Sequence, residues 1–222
     1  MYVPNCVLYL RVATLILIPI VSLSLSSIQS QSAFGLFENL FGPASPCLSK
    51  KDIPPKEGYS QYANSEHNTQ IQFPSDWIKK EENGKFGVGG LTPLYTLATF
   101  QPDTTEGFKS SLELEINDIS KYTGDTKSLT GMGDFEKKSI MLSPEATILS
   151  SNEIQINNCP AYQIVYLQGT PNTQEQWKTM LTFFIDCDKE YVMRYTATDN
   201  QLYDKYLETV SNMLQTFKVN GC

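Results

Sequence analysis

The sequence predicts an α+β fold: a central antiparallel β-sheet flanked by helices and closed by a C-terminal amphipathic helix. Three observations predict it. Ser110–Asp118, SSLELEIND, sends Leu112, Leu114 and Ile116 to one face and Glu113, Glu115 and Asn117 to the other, the two-residue period of a strand with one face in the core. The β-leaning runs 148–156, 161–168, 177–187 and 191–198 follow one another, the last three separated by short polar turns that favour antiparallel hairpins. In DNQLYDKYLETVSNMLQTF, Tyr203, Tyr206, Leu207, Val210, Met213, Leu214 and Phe217 recur at spacings of three and four. That stripe is broad enough to lie across a sheet.

Arg11 precedes an uncharged apolar run, Val12–Leu25, and small polar residues follow to Ser32. This is the order of a secretory signal, and the run is shorter than the roughly 20 residues of a spanning helix. Residues 1–30 therefore read as a signal peptide or, since no Ala-x-Ala closes the run, an uncleaved signal anchor. Residues 31–58 read as a tether broken by Pro43, Pro46, Pro54 and Pro55. Within it Phe34, Phe37, Leu40 and Phe41 fall near helical spacing, as a short packed helix, a frayed leader or a segment lying on a membrane. The folded domain is expected over 59–219. In TQIQFPSDW, Ile71 and Phe73 share a side, and Pro74 ends the strand because it cannot donate to a ladder. Glu81–Gly84 reads as a turn, Gly87–Pro93 as a loop, and Leu94–Phe100 as a further strand. A helix is expected over Phe135–Leu142, weakened on its N-terminal side by Gly131 and Gly133. Thr198 or Asp199 can cap the last helix.

Composition excludes several classes of function. Hydrophobic residues make up 41% of the 222, enough for a proper core. The net charge of -7, with no basic run longer than a pair, argues against nucleic acid, whose phosphates demand a basic stripe. The one histidine, His67, sits in the polar stretch NSEHNT and reads as an exposed loop residue. Serine and cysteine nucleophiles usually need a histidine base, and no nucleophile-elbow, zinc-protease or phosphate-loop motif occurs. No catalytic residue and no cofactor is assigned. Glu113 and Glu115 share a strand face and could offer oxygen ligands to a divalent cation, as could Asp186 and Asp188 around Cys187. A solvated sheet face with lysine partners explains them better, so no metal is assigned.

Cysteine usage agrees with export. Cys6 lies in the leader, and four cysteines remain: Cys47, Cys159, Cys187 and Cys222. Folding the 161–168 and 177–187 strands about Asn172 and Thr173 sets Val165 against Leu181, Gln163 against Phe183, Ala161 against Ile185 and Cys159 against Cys187. That register predicts a Cys159–Cys187 disulfide and, by elimination, Cys47–Cys222, with a free thiol or a link to another chain as the alternative for Cys47 and Cys222.

A tyrosine-rich start, the strand closed by FPSDW, an apolar strand, ELEI, a helical region, then AYQIVY, WKTMLTFFIDC, EYVMRYTAT and a closing helix with LQTF: over residues 59–219 this order resembles the PsbP-like domains. It is similar to the secreted copies found in ammonia-oxidising archaea rather than to the plant photosystem subunit. The resemblance implies a PsbP-like sandwich. Members of the family serve as photosystem assembly or stabilising subunits, and a fold relative binds a small GTPase; no site residue carries over to this chain. The glycines near Gly131 depart from the usual family helix and put a helix-borne interface in doubt. Two classes of function compete. The first is an exported, non-catalytic module that binds or stabilises a protein partner at the membrane or cell surface. The second is a small-ligand or divalent-cation binding protein, extending to a carboxylate-based enzyme. Either works outside the cytoplasm, secreted or anchored on the outer face of the membrane.

Overall fold

The computed structural model describes residues 53–86, 94–104, 109–169 and 176–220. The leader, most of the tether, Cys47, Cys222 and the Gly87–Pro93 loop lie outside the described residues. Strands run β1 Tyr59–Asn64, β2 Thr69–Pro74, β3 Trp77–Phe86, β4 Leu94–Pro102 and β5 Ser110–Asp118. Helix α1, Leu129–Ile140, follows, then β6 Ala146–Ile156, β7 Cys159–Gly169, β8 Gln176–Asp186 and β9 Lys189–Ala197. Helix α2, Asn200–Leu214, and the short β10, Lys218–Val219, end the domain.

The strands form two antiparallel sheets, ordered β1-β2-β10 and β3-β4-β5-β9-β8-β7-β6. Two-residue turns set the ends of the β6–β7 and β8–β9 hairpins, at Asn157–Asn158 (φ 54° and 65°) and Cys187–Asp188 (φ 55° each). Left-handed φ at both central residues gives these turns the twist that hairpin strands need.

One face of the larger sheet carries Leu112, Leu114, Met193, Tyr195, Ala161 and Phe184 into a core shared with Tyr62, Ile71 and Phe73 of the small sheet and Tyr203, Val210 and Met213 of α2. The stripe read from the sequence is the buried stripe of α2, and Asp199 caps that helix by accepting from Leu202 N at 2.8 Å. Tyr195 donates its hydroxyl to the Tyr203 carbonyl at 2.9 Å, tying α2 to β9. The other face carries a second core of Ile119, Met132, Tyr162, Ile164, Leu181, Phe183 and Val192. On this face α1 packs mainly on β6 and β7, and its Met132 shares the second core with Ile119 and Val192. The α+β reading therefore holds, whereas the sheet is flanked by helices only in part: a second sheet shares one face, and α1 reaches over one side of the other. Among the described residues no helix is long and apolar enough to cross a membrane.

Three local expectations are corrected. Glu81–Gly84 is no turn; it is an irregularity inside β3, where the register with β4 shifts. The first helix spans Leu129–Ile140 and includes both glycines. Its packing requires them: a Cβ on Gly133 would lie 2.5 Å from Cζ of Tyr162, and one on Gly131 would lie 1.9 Å from the Asp125 carbonyl oxygen. The Ser128 side chain caps the helix by accepting from Gly131 N at 3.0 Å.

The β7–β8 register is the third. Tyr162 faces Phe183, Gln163 faces Thr182 and Val165 faces Met180, one residue away from the expected pairing. The reason is which face each residue serves. Ala161 and Val165 belong to the core under α2, whereas Leu181 and Ile185 belong to the second core. The expected register would have set residues of opposite faces against each other. A one-residue slip flips every side chain, so burial enforces the observed pairing. Tyr162 stacks on Phe183 with ring centroids 5.5 Å apart.

Candidate functional site

The polar side chains of the second face converge beside α1. Alternation along β5 turns Glu113, Glu115 and Asn117 away from the apolar core, and β9 does the same for Glu190 and Arg194. The β5–β9 register brings Glu113 opposite Arg194 and Asn117 opposite Glu190. Arg194 Nη2 lies 3.1 Å from Glu115 Oε2, and its Nη1 donates to the Tyr166 hydroxyl at 3.3 Å. Glu115 is 5% exposed, so this is a largely desolvated charge on the carboxylate side. Glu190 is 2% exposed; its Oε2 accepts from Asn117 Nδ2 at 3.1 Å, and its Oε1 has no hydrogen-bond partner.

The electrostatics follow from that crowding. Burial, and then the charge of Glu136 on α1, pushes the Glu190 carboxyl up to about 8, against the smaller opposing effect of the Asn117 hydrogen bond. Glu190 is therefore mostly protonated at neutral pH. Glu113 is raised by burial and by neighbouring Glu115, and Glu136 is raised by burial. The cluster thus sets four glutamates around one guanidinium.

Glu113 and Glu115 share the face the sequence assigned to them, but that face is not simply solvated, and the partner of Glu115 is Arg194, not lysine. Its charge is already engaged. Among the described residues no group of three or more His, Cys, Asp or Glu side chains could hold a metal ion. His67 is half-buried rather than exposed: its backbone N–H donates to Asn64 Oδ1 at 2.9 Å, and its ring tilts against Tyr95 with centroids 6.2 Å apart. Asp188 is exposed and pairs with Lys127 at 3.1 Å. Cys159 is buried and Cys187 half-buried at its turn. Sequence reasoning missed Glu190, Arg194, Glu136 and Asn117. The alternation in EYVMRYTAT puts Glu190 and Arg194 on one face; nothing local says that this face adjoins Glu115.

A different surface is apolar. Met141 and Leu142, just past the end of α1, are 70% and 84% exposed. Lys138 stands one turn before Leu142 and is exposed.

No protein-family model and no curated protein sequence matches the chain. Among solved structures it is similar to PsbP of the cyanobacterium Synechocystis, with 15% identity over 78% of this chain and 98% of that one and a TM-score of 0.51. The chain has a PsbP-like fold. Lower similarity extends to the Ran-binding protein Mog1p of Saccharomyces cerevisiae, with 10% identity over 73% of this chain and 95% of that one and a TM-score of 0.45. It also extends to a Pseudomonas aeruginosa protein of unknown function, with 12% identity over 71% and 94% and a TM-score of 0.42. The likeness reaches nearly the whole of the cyanobacterial domain.

Proposed function

We propose that this chain is an exported, non-catalytic PsbP-like module that docks a protein partner at the membrane or cell surface through Met141 and Leu142. The observation that carries the reading is that pair: two consecutive large apolar side chains left mostly in water at the end of a helix. An exposed apolar pair gains by burial against a partner, at roughly 25 cal/mol per Å² of apolar area covered. Lys138 beside it gives the surface a positive edge, which suits an apolar pocket with an acidic rim. A protein partner fits better than lipid, because the chain's net charge of -7 opposes an anionic membrane surface. The burial of Glu190 and Glu115, 2% and 5% exposed, supports a structural role for the acidic cluster.

The signal or anchor over residues 1–30, the tether over 31–58 and the domain over 59–219 belong to the same reading, as does an oxidising compartment with Cys159–Cys187 and Cys47–Cys222 disulfides. Continued at the observed pace, the β7–β8 register puts Cys159 opposite Asp186, so the link runs diagonally to the next residue, not directly across.

The test uses full-length protein on native membranes of its source cell, with chemical crosslinking. The double variant Met141→Ser, Leu142→Ser should fold unchanged, since exposed substitutions usually cost within about 0.5 kcal/mol. It should lose the crosslinked protein that wild type captures. Equal capture by both refutes the surface.

A further inference from the structure

We propose that α1 is a pH-operated flap: it lies closed on the sheet in acid surroundings and lifts as the buried carboxyl of Glu190 loses its proton. The geometry leaves a charge at that position without a counter-ion. From β5 it meets Glu115 and the neutral Asn117; from its own strand, Arg194; and from α1, Glu136. One step further out, Tyr166 of β7 accepts from Arg194, Glu113 stands opposite Arg194, and Tyr122, before α1, accepts from Asn117 Nδ2 at 3.4 Å. Lys127, Asp188, Lys189 and Asp118 lie around the nearby hairpin end. Among the described residues, Arg194 is the cation that acts on Glu190, and Glu115 holds it at 3.1 Å. Oε1 of Glu190, buried and without a hydrogen-bond partner, has no donor waiting for a negative charge. An ionised carboxylate in that position must be hydrated, and a buried unpaired charge is among the costliest features a fold can carry.

Helix α1 is the element that can yield. Its buried residues are Met132 and Gly133, with Leu129, Phe135 and Ile140 partly buried against the second core. Glycine contributes no side chain to hold it. A hydrogen bond between Thr130 and Glu153 ties it to β6, and its remaining surface is polar. The strands beneath are stitched by continuous ladders on both sides of β9. Elements with few buried contacts open locally at the least cost. Glu136, carried on α1 itself, adds repulsion once Glu190 is charged.

The direction follows from linkage. Closed, Glu190 keeps its proton up to about 8. Open to water, it returns toward the ordinary glutamate value of 4.5. The opening constant therefore rises about tenfold per pH unit between those values and levels off above the upper one. Lifting α1 also displaces Met141 and Leu142, which on the docking reading above would release the partner as pH rises. The flap itself does not depend on that reading, and its test reads α1 directly.

Amide hydrogen exchange by mass spectrometry on the full-length protein between pH 5 and 9, corrected for intrinsic exchange rates, is the measurement. Peptides covering 129–140 should lose protection about tenfold per pH unit up to about pH 8, while those covering 112–116 and 191–195 hold theirs. Glu190→Gln should remove the share of the slope that belongs to Glu190 and leave only the smaller rise that Glu113 and Glu136 contribute. Glu136→Gln, on the half-buried side of α1, should make the loss level off at a lower pH, because it removes a charge that raises Glu190. The proposal is overturned by a flat profile over α1, by α1 and the central strands losing protection together, or by an unchanged plateau in Glu136→Gln. That last variant decides the matter even if Glu190→Gln fails to fold.

Discussion

Replacing Glu190 with glutamine isolates one buried proton. The substitution keeps shape and hydrogen-bonding capacity but cannot ionise, so it imitates the protonated carboxyl that the fold selects. Folded, Glu190 titrates at about 8; in an unfolded chain it returns to the ordinary value of 4.5. The folded state binds the proton more tightly, so wild-type stability is greatest at or below pH 4.5 with respect to this group. It declines as pH rises toward 8 and levels off beyond. The span is about 3.5 pH units at 1.36 kcal/mol each, or about 5 kcal/mol as an upper bound. Partial opening of α1 reduces it, because water then reaches the carboxylate before the whole domain unfolds. Glu190→Gln should match wild type within about 1 kcal/mol at pH 5 and exceed it by several kcal/mol at pH 8 and above. Denaturant titrations of both proteins at pH 5, 6, 7, 8 and 9 measure this. The slopes that Glu113 and Glu136 contribute are common to both chains, so the difference between the curves belongs to Glu190. Parallel curves across that range would show that the carboxyl is not held protonated and would refute the reasoning.

Other outcomes test the rest of the structure. Arg194→Met strands the Glu115 carboxylate, and should cost about 2–3 kcal/mol by thermal or denaturant unfolding, below the full penalty for a broken buried pair because the Arg194 side chain is 29% exposed. Gly133→Ala drives a methyl group into the Tyr162 ring, and should cost about 1–3 kcal/mol while α2 and the larger core keep their near-ultraviolet signature. Non-reducing peptide mapping should return a Cys159–Cys187 peptide; a Cys47–Cys159 or Cys187–Cys222 peptide would refute that pairing. Truncating Phe100, fully buried against Tyr62 and Phe73 at ring distances of 5.8 and 4.9 Å, to alanine should cost about 3–5 kcal/mol in the same unfolding assay.

What the sequence determined by itself is the part of the structure written in local periods. The two-residue alternation of SSLELEIND assigned Leu112, Leu114 and Ile116 to a core and Glu113 and Glu115 to the opposite face, and both assignments hold. The three-and-four spacing of Tyr203, Val210, Met213 and Leu214 identified the buried side of α2, and Asp199 was visible as its cap. Pro74 marked the end of β2 because a missing N–H is a local fact. Tertiary structure decided which faces meet. Arg194 reaches Glu115 across 79 residues of sequence and Asn117 reaches Glu190 across 73, and a period of two cannot name a strand's neighbour. The β7–β8 register was settled by two cores drawing alternate residues of each strand to opposite sides, a constraint absent from either strand alone. The same holds for Gly131 and Gly133: their low helix propensity is a local property, but the need for glycine there is tertiary, because a neighbouring carbonyl and a tyrosine ring leave no room for a side chain.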